Sequence, residues 1–492
     1  MIIRTLRFFL PIVVLTFSLW GCYSDGDLAP ILSFPDIVST VGEEGEPGTI
    51  VENPFVLTSD ENTSTFSIDA DGGAYANVRR YLEQDGTLPP PEAVRTEELI
   101  NYFDLDYPFD NPGHPISLNG EVSGCPWSDT SRLIRIGIEG ESIPEQELPF
   151  SNFVFLIDVS GSMGSNDKIG LIKAGMHRFV DQMRDPDHLS IVTYAGSTRV
   201  HMGSTSGGDK SSIRRSIDQL ETGGGTNGGA GIILAYNEAA ANFIPGGNNR
   251  IFLATDGDFN VGIADFDELI DLIETKREGG VFLTSLGVGR GNYAEQTLEQ
   301  IANKGNGTYE YLDKTEQLEK VFFQETGKFY TVAKDVKVQV AFNPDLVKAY
   351  RLIGYENRVL ENEDFEDDTE DAGEIGAGQN ITALYEIIPV SGADARSAPS
   401  FTIDFRYKLP DADTSIPLSL EITDEGNDFE SASDYSQFTA AVAGFGLVLI
   451  DSRYRGTADY NGVLRWLEEA GLEDPHGWKA EFRELVETAR GM

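Results

Sequence analysis

Between residues 150 and 328, apolar segments of two kinds alternate. Short runs such as Phe153-Val154-Phe155-Leu156-Ile157 and Ile251-Phe252-Leu253-Ala254 are continuously apolar, as strands buried on both faces of a parallel sheet are. Between them lie stretches with helical periodicity. In 168–184, Ile172, Met176, Phe179 and Met183 recur on one helical face. The pattern predicts strands at 153–158, 189–194, 251–256, 281–288 and 307–312, and helices at 168–184, 230–243, 265–277, 293–303 and 315–326. Such alternation predicts an α/β domain with a doubly wound, Rossmann-like parallel sheet. The Met and aromatic stripes are its core.

The flanks follow other periods. Residues 74–81 and 94–103 read as helices on either side of Pro89-Pro90-Pro91, with Leu99, Ile100 and Phe103 on one face of the second. Strand-like alternation occupies 116–122 and 133–138. Beyond 330 the period falls to two, at 334–342, 346–353, 380–389, 400–408 and 416–422. These predict antiparallel strands of a β-sandwich. We expect 116–139 to join them, which makes the α/β domain an insertion. Residues 434–452 and 459–490 read as terminal helices, with Gly444 and Gly446 interrupting the first. The expected organisation is a signal at 1–21, a tether at 22–63, an N-terminal module at 64–149, the α/β domain at 150–328, a β-rich domain at 329–425 and a helical segment at 426–492.

The N-terminus changes where this chain is expected to act. Arg4 and Arg7 precede the apolar stretch 8–20, which ends in Leu19-Trp20-Gly21-Cys22, the layout of a secretory signal. Leu-x-Gly-Cys resembles the bacterial lipobox, and the resemblance implies that Cys22 is lipidated and anchors the protein to a membrane. No Lys or Arg lies between Arg7 and Arg79, so the acidic, Gly- and Pro-rich stretch after the signal reads as a solvated tether. No other apolar run is long enough to span a bilayer. The expected location is extracytoplasmic and membrane-anchored. Tyr23, beside the anchor, favours the outer membrane or cell surface over the inner membrane.

The net charge of −44 opposes nucleic acid and anionic lipid surfaces as partners. It would also oppose an acidic protein, but at physiological salt the Debye length is about 8 Å, so a local coordination bond can prevail over distant charge. Cys22 and Cys125 are the two cysteines. With Cys22 lipidated, no structural disulfide is expected, and Cys125 reads as a small buried residue.

Candidate chemistry clusters where strands end. Asp158-Val159-Ser160-Gly161-Ser162 follows the first strand, Thr226 lies in the glycine-dense loop 223–229, and Asp256 closes the strand at 251–256. Asp158, Ser160, Ser162, Thr226 and Asp256 are all oxygen donors, which suits Mg²⁺, Mn²⁺ or Ca²⁺ rather than zinc or copper. Capping of loops and helices is the competing use of the same residue types.

D-x-S-x-S, then Thr in a glycine loop, then a strand ending in Asp-Gly, resembles the metal-ion-dependent adhesion site of von Willebrand factor type A domains. The resemblance covers about residues 150–328. It implies that Ser160, Ser162 and Thr226 touch a divalent ion, while Asp158 and Asp256 act directly or through water. It also implies that a partner protein supplies a carboxylate to the ion. The flanks, at Tyr75-Ala76-Asn77-Val78-Arg79-Arg80, Glu97-Glu98-Leu99-Ile100-Asn101-Tyr102-Phe103 and Tyr350-Arg351-Leu352-Ile353-Gly354-Tyr355, resemble a bacterial exported family built around such a domain.

Other constellations fail. The nine carboxylates of 361–374 lack EF-hand spacing, no Gly-Lys-Ser/Thr follows 223–229, and Ser162 lacks a nucleophile elbow. The five histidines are dispersed. The expected function is therefore non-enzymatic: metal-dependent capture of a protein partner at the cell envelope. The alternatives are an envelope scaffold in which the metal only stabilises loops, and a Mg²⁺-dependent hydrolase, which lacks a nearby base.

Overall fold

The computed structural model describes residues 51–68, 71–226, 228–257, 266–289, 295–368 and 372–492. The chain divides into units Met1–Val38 and Ser39–Met492. The first, with the expected signal and Cys22, lies outside the described residues; every described strand and helix belongs to the second.

Six strands form the central sheet of the α/β domain, in the order Tyr309–Leu312, Val281–Val288, Asn248–Thr255, Ser151–Asp158, His188–Tyr194, Thr198–Ser206. The first five are parallel, and Thr198–Ser206 adds antiparallel to the edge. Every residue of Ser151–Asp158 is buried. Successive side chains enter opposite cores. Phe153, Phe155 and Ile157 pack with Met176 and Phe179 of helix Leu171–Gln182, while Val154 and Leu156 pack with Ile232 and Ala235 of helix Gly228–Ala241. This is why the strand carries no polar alternation. From Ser151–Asp158 the chain moves to one side, through His188–Tyr194, and later returns on the other, at Asn248–Thr255. The order reverses there, and at such a switch point the loops diverge and leave a crevice at the carboxyl ends of the strands.

The flanks form one chassis rather than separate modules. One sandwich sheet runs Val56–Leu57, Val347–Ile353, Asn380–Pro389, Ser128–Gly140, Ile116–Cys125; the other runs Val359–Leu360, Thr63–Ser67, Thr331–Phe342, Phe401–Lys408, Ile416–Ile422. Strands from before and after the α/β domain thus share both sheets, around a core that includes Phe66, Ile136, Val338, Tyr385 and Phe405. Helices Gly73–Arg80 and Thr96–Asn101 do not stay with their neighbouring strands. Tyr75, Leu99 and Phe103 instead bury against Phe438, Phe445, Trp466 and Phe482 of the C-terminal helices.

Three expectations change. The tether ends earlier than residue 63: Val56 and Leu57 pair with Tyr350 and Ala349, and the Asn53 side chain donates to the Gly354 carbonyl at 2.8 Å. The second terminal helix is two, Tyr460–Glu469 and Trp478–Arg490. Helix Asp434–Leu449 runs unbroken through Gly444 and Gly446. A Cβ at Gly444 would lie 2.7 Å from the Trp466 ring, and one at Gly446 2.8 Å from the Thr96 hydroxyl. These glycines are contact points between helices. Cys125 is buried, and burial pushes its thiol well up, away from thiolate chemistry.

Candidate functional site

At the carboxyl end of Ser151–Asp158, the Asp158 carboxylate is fully buried. One of its oxygens accepts from the Ser160 amide at 2.8 Å and the other from the Thr255 hydroxyl at 3.1 Å. The first bond shapes the loop; the second ties it to the end of the adjacent strand. Burial pushes the Asp158 carboxyl up, and the nearby Asp256 adds to this, while the Ser160 hydrogen bonds pull it down. After Asp158 the chain makes a tight turn, Gly161–Met163, anchored by the fully buried Met163. That turn leaves the Ser160 and Ser162 hydroxyls 3.0 Å apart.

The loop that carries Thr226 is held against this turn by two backbone bonds. The Gly161 amide donates to the Gly224 carbonyl at 3.1 Å, and the Gly223 amide to the Val159 carbonyl at 2.7 Å. Gly224 has a φ of +93°, a conformation glycine adopts without strain. Asp256 follows the Asn248–Thr255 strand, and its side chain is 4% exposed. The switch point therefore gathers Asp158, Ser160, Ser162 and Asp256, with the Thr226 loop alongside. The five histidines lie elsewhere: His177 faces Asp218, His201 the Ser216 carbonyl, His114 Tyr407 and His188 Ser204, while His476 precedes the last helix. Among the described residues, no three His, Cys, Asp or Glu side chains form a metal cluster.

A residue absent from the expected set completes the arrangement. Lys168, on the turn before helix Leu171–Gln182, donates from Nζ to Asp256 Oδ2 at 2.8 Å and to the Ser162 carbonyl at 3.1 Å. Its stem crosses Gly289, where a Cβ would lie 2.5 Å from Lys168 Cε. In the sequence Lys168 stands out only as the first Lys or Arg after Arg135, which names no partner for it. A search confined to oxygen donors passes over it.

The donor set fits a hard divalent ion. It is all oxygen, it includes two carboxylates, and a positive charge, the Lys168 ammonium, already lodges between Asp256 and Ser162.

Comparison with known proteins agrees with the fold. Residues 152–324 match the von Willebrand factor type A domain family, residues 44–135 a family described as von Willebrand factor, and residues 327–492 the C-terminal region of the uncharacterized protein YfbK. The YfbK protein of Escherichia coli (strain K12) is 41% identical over 467 residues, spanning 90% of this chain and 80% of that protein. The chain belongs to the YfbK family. Within it, the type A domain is the inserted α/β unit, and the YfbK C-terminal region supplies the later sandwich strands and the terminal helices. Type A domains are modules of protein interaction and adhesion. The uncharacterized protein sll0103 of Synechocystis is 26% identical over 206 residues, 41% of this chain and 46% of that protein. A von Willebrand factor type A structure from Catenulispora acidiphila superposes with a TM-score of 0.43 at 15% identity, covering 77% of this chain and 91% of that one.

Proposed function

We propose that this protein captures a protein partner outside the cytoplasm through one divalent cation, while tethered to a membrane by lipid on Cys22. Asp158, Ser160, Ser162, Thr226 and Asp256 would hold the cation, with Mg²⁺ as the expected ion and Mn²⁺ or Ca²⁺ as substitutes. The observation that carries this reading is the pairing of buried Asp158 with the close hydroxyls of Ser160 and Ser162 at the switch point of the sheet. Three neutral hydroxyls leave a divalent ion under-neutralised, and the bound ion then supplies an open coordination position for a partner's carboxylate. The net charge of −44 makes such a contact local: it has to form within about one Debye length, 8 Å, of the site. Among the described residues no helix is long and apolar enough to cross a membrane. The anchor is assigned to Cys22 on the strength of the lipobox-like Leu19-Trp20-Gly21-Cys22.

Calorimetric titration of Mg²⁺ and Mn²⁺ into the purified chain and into its Asp158→Ala variant tests the assignment. The expected result is one ion per wild-type chain and none in the variant. Capture of partner by the wild type, abolished by chelator, would follow. If chelator lowers the melting temperature and leaves association intact, the protein is a scaffold whose metal only fixes loops. Binding of Mg²⁺ by Asp158→Ala at wild-type affinity would show the site to be wrongly placed.

A further inference from the structure

Lys168 is held in its position by three separate features. Its ammonium bonds to Asp256 Oδ2, one of the donors assigned to the cation, and to the backbone carbonyl of Ser162, whose hydroxyl is another. Its stem fills the space that a side chain at residue 289 would take: a Cβ there would lie 2.5, 3.0 and 3.1 Å from Lys168 Cε, Cγ and Cδ. The Gly289 peptide, with a φ of +83°, is in turn fixed by the Tyr311 hydroxyl, which donates to its carbonyl. The ammonium is only partly exposed, at 20% for the side chain, and Asp256 is nearly closed off from solvent. A lysine merely lying on the surface would need neither the missing Cβ nor the pinned peptide.

From this geometry we infer that Lys168 is a built-in competitor for the divalent cation. This rests on the metal-site assignment above. An ammonium within hydrogen-bond distance of Asp256 supplies one positive charge to that carboxylate. A divalent ion brought to the same oxygens meets that ammonium as a like charge at short range. Occupancy then requires the Lys168–Asp256 bond to break and the ammonium to move away from Asp256, with the stem still lying over Gly289. Two consequences follow for the same residues. The competitor lowers metal affinity, so the site fills only above a threshold ion concentration. It also favours doubly charged ions, since a monovalent ion gains nothing over the ammonium it displaces.

The test compares the purified full chain with Lys168→Met, which keeps the stem and removes the charge, and Lys168→Arg, which keeps the charge. Mn²⁺ and Mg²⁺ affinities are measured by calorimetry, and melting temperatures with and without ion. Lys168→Met is expected to bind the ion about tenfold tighter, as removal of a like charge a few ångströms from the ion would give at an effective dielectric between that of water and a protein interior. Lys168→Arg is expected to stay at or below wild-type affinity. Without ion, Lys168→Met should melt lower than wild type, because Asp256 loses its counter-charge; with saturating ion the gap should close. Equal affinity in all three proteins would overturn the inference and leave the metal site standing. Weaker binding by Lys168→Met would make the lysine a support for the site and overturn the inference too. No binding by any of the three would remove the metal-site assignment itself, and this inference with it.

Discussion

At Gly289 the backbone takes a φ of +83° and the position of a Cβ is already filled by the Lys168 stem. Gly289→Val would combine backbone strain with a clash, and the expected loss is about 2 kcal/mol or more of unfolding free energy, read from urea denaturation. Ser162 shows the opposite tolerance. The residue is exposed and its hydroxyl bonds Ser160 at 3.0 Å, so Ser162→Ala should change stability by less than about 0.5 kcal/mol while weakening ion binding, as separate denaturation and calorimetry would show. The candidate donors are legible because each follows a strand that the apolar pattern locates, and strand ends are where ligands bind in such sheets. Thr255 and Lys168 are not. Thr255 reads as the last residue of a buried strand, and only the structure shows its hydroxyl donating to Asp158. Lys168 reads as the polar side of an amphipathic helix, and its partners, Asp256 and Gly289, lie about 90 and 120 residues away.

Helix Asp434–Leu449 shows how a correct reading of propensity gives a wrong element. Glycine disfavours helix by about 1 kcal/mol relative to alanine, so Gly444 and Gly446 look like breaks. In the fold they let the helix approach Trp466 and Thr96, and packing outweighs propensity. Gly444→Leu, a good helix former, should therefore destabilise by about 1–3 kcal/mol through overpacking, measurable as a lower melting temperature. The edge strand Thr198–Ser206 escapes the apolar pattern for a different reason. It is polar and largely half-exposed, so neither a buried run nor clean alternation marks it. On strand Ser128–Gly140, Glu139 faces Ser117 and Asn380 across the ladders. Burial, with Asp104 and Asp106 nearby, pushes its carboxyl from 4.5 up to about 8. The native state then keeps a proton that the unfolded chain has released, so Glu139 makes stability fall as pH rises from 4.5 towards 8. Glu139→Gln should flatten that part of the melting-temperature profile, with a gain of about 1 kcal/mol or more at pH 8.

Across the whole molecule, one arginine joins three regions distant in sequence. Arg79, fully buried, donates to both carboxylate oxygens of Asp313, to Gln317, to the Tyr102 hydroxyl and to Glu481. Asp313 and Gln317 belong to the end of the type A domain, Tyr102 to the N-terminal helices and Glu481 to the last helix. Arg79→Met would leave Asp313 buried without its counter-ion, at an expected cost of about 3–5 kcal/mol, measured by calorimetric unfolding. The sequence shows the sandwich strands singly but not which of them pair, because pairing partners lie far apart along the chain. Ser128–Gly140 pairs over eight positions with Asn380–Pro389. During synthesis, at about 5–20 residues per second, its partner emerges about 10–50 s later, after the whole type A domain. The hairpin Ile116–Cys125 with Ser128–Gly140 therefore waits with one edge unsatisfied while the inserted domain, whose parallel strands are all local to it, can fold to completion. Such an open edge is a place for a chaperone to bind, or for two nascent chains to join wrongly.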